Sequence, residues 1–555
     1  MSTNQSQRSK WWGWGKEEEF YHIPDPDQFW TYIRRHLGEL KATPRIPSLT
    51  GVSLRPTILP DADLKKLRRI VGQVSTTDEE RAFFSLGKSY KDLIRIRRGQ
   101  IDVPTDAVVR PETDTQVLDV LRLAADRHLA VIPFGGGTSV VGGVEPGGEG
   151  PTITLDMAML GSVLGVNENA ATATVQAGVM GPALERTLRR SGFTLGHFPQ
   201  SFRYSSVGGW IATRSAGQNS TKYGAIEELV QSVQLAHPEG LLITPAVPAA
   251  AAGPDLAQIV IGSEGALGVI TSATLRLSPR PERRSYRGYL LPSFAAGVQA
   301  AREIIQAGAE PAVLRLSDEP ETASTLALRP EPRGAGAAVE QVARWYLSRR
   351  GLDLDSGAVL ILGFEGSDAT VRCASDLSGR VLKRHGAASL GSGPGRAWRR
   401  SRFSAPHLRD TFLDHGIMVD TLETATTWDN YLPFHARVRD ALRAALGERS
   451  VVMAHLSHSY TDGGSIYYTF LAPQEEGREL EQWQRVKTAA TEAIIAGGGA
   501  LSHHHAIGIE HRRWMREYLG DEGSRWLSLI KRSLDPAGIL NPGKLVPDAG
   551  EGPLK

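Results

Sequence analysis

A run of imidazoles is the most concentrated chemistry in this chain. Gly497-Gly498-Gly499-Ala500-Leu501-Ser502 leads into His503, His504 and His505. On a strand, His503 and His505 share one face. Neighbouring histidines can hold a metal, but only Glu510 and His511 stand nearby as further ligands, so no metal is expected. Imidazole titrates near neutral pH, which makes acid–base work or contact with a phosphate the better reading. The bland alternative is a pair of histidines in a loop at a domain edge.

Two other side chains offer complementary chemistry. Ser465-Ile466-Tyr467-Tyr468-Thr469-Phe470 reads as a strand that points Tyr467 and Tyr468 to opposite faces, one ring into a core and one phenol towards a cavity. Arg409, in the helical run APHLRDTFLDHG, carries the planar fork that grips a phosphate or carboxylate. Its commoner fate is a surface ion pair, here with Asp410 or Asp414.

Three segments can gather backbone N–H groups. Pro133, Phe134, Gly135, Gly136, Gly137, Thr138 and Ser139 follow the strand-like LAVIPF. Gln200, Ser201, Phe202, Arg203, Tyr204, Ser205 and Ser206 precede Gly208-Gly209 and then Thr213, Arg214, Ser215 and Ala216. Glu264, Gly265, Ala266, Leu267, Gly268, Val269 and Ile270 form the third. Glycine leaves amides open and permits the positive φ that an anion-binding nest needs. Each segment alone is an ordinary turn. Together they suit a large, multiply phosphorylated cofactor held by main chain.

The elements that must position these groups fall into four stretches. Residues 1–100 read as helices joined by Pro-rich loops, with Asp25 as the cap of FWTYIRRHLGEL. Trp11, Trp12, Trp14, Phe20 and Tyr21 are either a membrane-surface contact or, more commonly, aromatics packed on the protein's own core. Residues 101–280 alternate short strands (LAVIPF, TITLD, ATATVQAG) with helices (DTQVLDVLRLAADRH, GPALERTLRRSG), an α+β unit. Residues 281–505 combine long helices with strands such as AVLILGFEG and SIYYTF, the makeup of an antiparallel sheet covered by helices. GAGAAVEQV has a nucleotide-loop look, but no strand feeds into it, so it reads as a helix start. Residues 506–555 are helical and end in the turn-rich DPAGILNPGKLVP.

Composition sets the outer bounds. The chain has 555 residues, 63 Lys+Arg against 61 Asp+Glu, and a formal net charge of +2. That balance gives no electrostatic reason to expect nucleic acid. Its 22% charged and 41% hydrophobic residues are ordinary for globular domains and exclude a disordered or fibrous chain. One cysteine, Cys373, excludes an internal disulfide and any cysteine-rich metal centre, and suits a cytoplasmic setting. No uninterrupted apolar run is long enough to span a bilayer. The N-terminus lacks a secretory core and EGPLK is no peroxisomal address.

PFGGGTSV, VGGWIATRSAG and IGSEGALGVIT, in this order, resemble the flavin-binding domain of the vanillyl-alcohol oxidase superfamily. The resemblance implies a two-subdomain FAD-binding domain of PCMH type followed by an antiparallel-sheet cap, with the 506–555 segment returning to the cofactor site. It also implies non-covalent FAD, because PFGGGTSVVGG and its flanks lack a histidine where some members tether the flavin. WWGWGKEEEF, HLRDTFLDHG, SHSYTDGGSIYYTF and GGGALSHHHAIG resemble the alkyldihydroxyacetonephosphate synthase family across nearly the whole chain. That similarity implies exchange of the acyl group of an acyl-dihydroxyacetone phosphate for a fatty alcohol. By motif, Tyr467 matches the family's acid/base tyrosine and Arg409 its substrate-phosphate arginine. His503, His504 and His505 match its essential histidines, Arg315 in AVLRLSDE an arginine needed for activity, and His197 in GHFPQS a histidine just before the second flavin segment. A homodimer is the expected assembly. The chain departs from the pattern at Gln200, where an acidic residue is expected, and at Ala506, where glycine is usual. The alternative is an FAD-dependent 2-hydroxy acid dehydrogenase of the lactate/glycolate kind. Its H-x-G-D-x-N and E-H-G-x-G strings are both missing here.

Overall fold

The computed structural model describes residues 10–41, 48–148, 150–329 and 334–546. The two chain ends, read above for targeting signals, lie outside these residues. Among them, no helix is long and apolar enough to cross a membrane.

Two small sheets, with a two-stranded ribbon of Phe193–Thr194 and Ser278–Pro279, build the first half. Ala107–Val109, Thr152–Asp156 and Ala130–Phe134 run parallel, and Val74–Ser75 pairs antiparallel with Ala107–Val109 at one edge. Thr152–Asp156 is buried along its whole length, as a central parallel strand must be. Helix Asp114–Arg127 is capped by the Thr113 side chain, which accepts from the Gln116 N–H, and lays Val117, Val120, Leu121 and Ala124 on this sheet. The second sheet has five antiparallel strands in the order Val163–Asn167, Thr172–Gln176, Val269–Arg276, Val230–His237, Gly240–Ile243. Helices Gly181–Arg190 and Val207–Ala212 close its core with Leu184, Leu188, Val207, Trp210 and Ile211.

The second half is one seven-stranded sheet in which every pairing is antiparallel. Its strand alternation divides labour cleanly. Leu314, Leu316, Ala454, Leu456, Ile466, Tyr468 and Phe470 point into the helix-covered core. The residues between them, among them Arg315, His455, Tyr467 and Thr469, line a cavity on the opposite face.

The N-terminal stretch is part of this architecture. Phe29, Ile33 and Leu37 of helix Pro26–Leu37, capped by Asp25 as expected, join the core of the seven-stranded sheet. Trp11 and Trp14 are buried, and the Trp14 N–H donates to Asp410 Oδ2 at 2.8 Å. Most of the tryptophan cluster therefore packs on the protein itself, while Phe20 stays 70% exposed. GAGAAVEQV opens helix Ala335–Ser348, with no phosphate-loop geometry.

Candidate active site

A cavity of about 560 Å³ lies between the two halves. Its size is in the range of cofactor and ligand sites. One wall is main chain. Gly135 to Ser139 follow strand Ala130–Phe134, and the loop is pressed so closely on the second segment that side chains are excluded at Gly135 and Gly136. A Cβ on Gly136 would sit 1.8 Å from the Tyr204 carbonyl oxygen, and one on Gly135 would sit 2.2 Å from Ser206 Oγ. The Ser206 side chain accepts from the Gly209 N–H and so starts helix Val207–Ala212. Gln200, Ser201, Ser205, Ser206, Thr213, Ser215 and Ala216 line this wall, as do Glu264, Gly265, Gly268, Val269 and Ile270.

Several residues of the three segments sit elsewhere. Phe202, Arg203, Tyr204, Arg214, Ala266 and Leu267 do not line the cavity. Phe202 stacks on Phe403, Tyr204 donates to Glu19, and Arg214 pairs with Glu227 at 3.5 Å. They support the wall from behind. Gln218, in contrast, reaches the cavity with its Oε1 lacking any hydrogen-bond partner. Gln200 uses its amide to donate to the Arg402 carbonyl, so the departure from an acidic residue ties the wall to the cap.

The opposite wall carries the ionisable groups. Tyr467 faces the cavity and Tyr468 is fully buried in the core, as the strand period requires. The His455 ring stacks on Tyr467 at 5.0 Å, and Arg315 holds that ring through an Nη1 contact to His455 Nε2 at 2.8 Å. Glu321 pairs with both, at 2.6 Å from Arg315 and 3.2 Å from His455 Nδ1. Burial raises the Glu321 carboxyl, but His455 and Arg315 outweigh it and hold it down to about 2. Arg315 thus positions the ring against Tyr467 as well as lining the cavity. Burial pushes the Tyr467 phenol up to about 12, so its resting form is the acid.

Arg409 reaches the cavity from helix Ala405–Asp414. It pairs with neither Asp410 nor Asp414, which engage the Trp14 N–H and Arg97. Its Nη1 donates to the Lys88 carbonyl at 2.9 Å and its Nη2 lies 3.6 Å from Asp420, while Nε and Nη2 have no hydrogen-bond partner. A guanidinium whose buried Nε and Nη2 have donors to spare can hold an oxyanion.

The three histidines are in a loop, not on a strand, and their anchor is Glu423. This carboxylate stands opposite Tyr467 in the sheet register. It accepts the backbone N–H groups of His503 at 2.6 Å, His504 at 3.1 Å and His505 at 2.8 Å, and the Ser502 hydroxyl at 2.7 Å. The loop folds around a fixed negative charge, which no ligand spacing along the chain foretells. His504 and His505 line the cavity, with ring centroids 6.1 and 5.6 Å from Tyr467. His503 instead meets the Tyr460 hydroxyl at 2.6 Å. Nitrogens of His458, His503 and His504 lie within 4.8 Å of one another, yet each ring already has a hydrogen-bonding contact. His197 is outside the cavity lining: fully buried, its Nε2 meets Ser215 Oγ at 2.8 Å and its ring packs on Trp210. It braces the main-chain wall.

Burial holds His503, His504 and His505 down to about 4 each. Their folded values lie below the ordinary imidazole value of about 6.5, so the unfolded chain binds more protons between the two. Stability should therefore fall as pH drops from about 6.5 towards 4. Glu423 acts in the same sense further down. Burial raises it, but the three histidines and Ser502 hold it well below its usual value, so its contribution is lost as the medium becomes more acidic still. Urea midpoints measured across this range should show the loss, and His504→Gln should flatten it. An equal slope in the variant would show that these rings do not set it.

Glu423, Glu321, His455 and Gln218 escape a reading of the sequence, because each acquires its meaning from a partner far along the chain. The C-terminal tail is a further case. Asn541 Nδ2 donates to the carbonyls of Gly143 and Glu264, while the buried Glu264 carboxylate accepts the N–H groups of Ile507 and Gly508 at 2.8 and 2.7 Å. Burial raises that carboxyl to about 7.

Comparison with known proteins agrees with the geometry. Residues 105–244 match the FAD binding domain family, and residues 280–545 match the family of FAD linked oxidases, C-terminal domain. The alkyldihydroxyacetonephosphate synthase of Trypanosoma brucei brucei is 33% identical over 99% of this chain and 94% of its own length. That of Dictyostelium discoideum is 32% identical over 98% of this chain and 94% of its own. A solved alkyldihydroxyacetonephosphate synthase superposes with a TM-score of 0.83 at 30% identity, covering 98% of this chain and all of that one. A main-chain wall too tight for side chains, an unpartnered Gln218 oxygen on it and matches along nearly the whole length lead to one conclusion: the chain belongs to the alkyldihydroxyacetonephosphate synthase family, and FAD is its cofactor.

Proposed function

We propose that this enzyme exchanges the acyl chain of an acyl-dihydroxyacetone phosphate for a fatty alcohol, releasing a fatty acid and forming an ether lipid precursor. The observation that carries this reading is the convergence in one cavity of a spare arginine fork, a protonated phenol and two neutral imidazoles opposite the flavin wall. When bound, FAD supplies a reversible electron sink, so the exchange needs no outside acceptor.

The chain's own residues divide the remaining work. Arg409 takes the substrate phosphate through the donors that Lys88 and Asp420 leave free. Tyr467, held as the phenol, takes the α-proton of the substrate's reacting carbon as its own proton passes to His504 or His505, and the reverse relay returns it. The same neutral imidazoles take the hydroxyl proton of the entering fatty alcohol as its C–O bond forms, and that proton leaves with the fatty acid whose C–O bond to the substrate breaks. Val313, Leu328, Leu408, Phe412, Val419 and Leu471 give the same cavity an apolar side suited to long chains. Peripheral membrane contact fits helix Ala335–Ser348, where Val342, Trp345 and Tyr346 are all more than half exposed, better than the tryptophans folded into the N-terminal stretch.

The test supplies palmitoyl-dihydroxyacetone phosphate and labelled hexadecanol without an electron acceptor. Labelled alkyl ether is the expected product, and D-lactate or glycolate should leave the flavin unbleached. Rapid bleaching by a 2-hydroxy acid with no ether formed would replace this reading with the dehydrogenase. Acid precipitation should also release all flavin into the supernatant. Colour retained by the pellet would show a covalent tether.

A further inference from the structure

Away from the flavin cavity, guanidinium groups gather at the seam between the two halves. A second cavity of about 140 Å³ is lined by Arg189, Arg280, Arg284, Arg399, Arg402 and Glu365. Arg189 comes from helix Gly181–Arg190, whereas Arg284, Glu365 and Arg399 come from the seven-stranded sheet and its helix Gly393–Ser401.

The charges in this cavity do not balance. Glu365 is already saturated: it accepts Arg284 Nε at 3.0 Å, the Tyr286 hydroxyl at 2.6 Å and the Tyr223 hydroxyl at 2.8 Å. Glu185 answers Arg189 from 3.6 Å. Arg402 is clamped between the Phe198 and Phe403 rings, 4.7 Å from each, and gives one N–H to Asn219. Burial, with Arg399 and Arg284 adding to it, pushes this guanidinium below its usual value. Among the described residues, Arg280 and Arg399 make no ion pair and no side-chain hydrogen bond, although Arg399 lies over the Tyr286 ring. Arg189, Arg280, Arg284 and Arg399 are exposed, so water screens their repulsion, yet Arg280 and Arg399 keep donors that an anion among them would take up. With about 30 Å³ as water's share of liquid volume, the space takes four or five water-sized groups, the bulk of a tetrahedral oxyanion.

We propose that this seam is a second anion site, which takes a phosphate-sized oxyanion, free or as a phosphomonoester lipid headgroup, and ties the FAD-binding half to the cap. Its geometry reaches the flavin wall directly. The Arg402 carbonyl accepts from Gln200 at 2.7 Å and Gln218 at 2.9 Å, and both glutamines line the large cavity.

Inorganic phosphate titrated calorimetrically into the flavin-loaded enzyme, with ionic strength held by chloride, tests this. Arg409→Gln removes the phosphate contact proposed for the substrate, and that protein should still bind one phosphate. Adding Arg280→Gln and Arg399→Gln should weaken the remaining binding at least about tenfold, with flavin absorbance unchanged. In the wild-type background the same pair should lower the stoichiometry from two to one. Sedimentation with phosphatidylcholine vesicles containing phosphatidic acid identifies the source. Retention of the Arg409→Gln protein but not the triple variant assigns the site to a lipid headgroup, and phosphate binding without retention assigns it to the free ion. If the Arg409→Gln protein binds neither ligand, or if the two extra substitutions change nothing, the seam is not an anion site. Neither failure touches the ether-forming reaction.

Discussion

Tyr467→Phe should lower ether formation by roughly 10²–10⁴-fold, the usual effect of losing general acid–base help, while flavin content stays the same. The substitution removes one hydroxyl and keeps the ring, so the stack on His455 at 5.0 Å survives. Tyr468→Phe is the matched control. That hydroxyl makes only a 3.4 Å contact to the His435 carbonyl in the core, and its loss should change activity little. Single-turnover rates on both purified variants decide the matter. A damaged Tyr468→Phe beside an active Tyr467→Phe would remove Tyr467 from the proton path.

Glu423→Gln should be the more severe change for the fold of the site. The carboxylate accepts four donors, three of them backbone amides of the histidine loop. Glutamine keeps the volume but offers one acceptor oxygen and turns an NH2 towards N–H groups that need an acceptor. Hydrogen bonds to a charged group contribute about 1.5–3 kcal/mol each, so losing two of them should destabilise the protein by roughly 3 kcal/mol or more. The loop carrying His504 and His505 should loosen first, with activity falling further than stability. Urea unfolding and hydrogen exchange at residues 502–506 measure the two effects. Exchange that stays as slow as in the wild type would show that the loop holds without its anchor.

Legibility followed the range of the interactions. The opposed faces of Tyr467 and Tyr468 were readable because a strand's period is local. The glycine segments were readable because steric exclusion at Gly135 and Gly136 leaves its mark on residue type. Glu423 was not, since it meets the histidine loop through pairing of Ile417–Thr427 with Gly463–Pro473, a register that no short window contains. For the same reason the sequence leaves strand and loop both open for the histidines, which form a loop wrapped on a carboxylate. Arg315 and His197 were visible only by resemblance, and the structure gives them different work: one orients a ring on the cavity wall, and the other braces a wall from behind.

Residues 539–541 bear on how the protein is made. Strand Ala130–Phe134 ends its parallel sheet, and its open edge is met by the tail: the Val131 N–H donates to Ile539, and the Asn541 N–H to Val131. An unpaired edge invites pairing with another chain until it is covered. Ribosomes add about 5–20 residues per second, so roughly 400 further residues, or some 20–80 seconds of synthesis, separate that strand from its cover. Through this interval the nascent protein carries a glycine loop lacking the Asn541 brace and an exposed strand beside it. A polypeptide cut short before Asp535 starts the pocket and lacks the residue that braces its glycine loop.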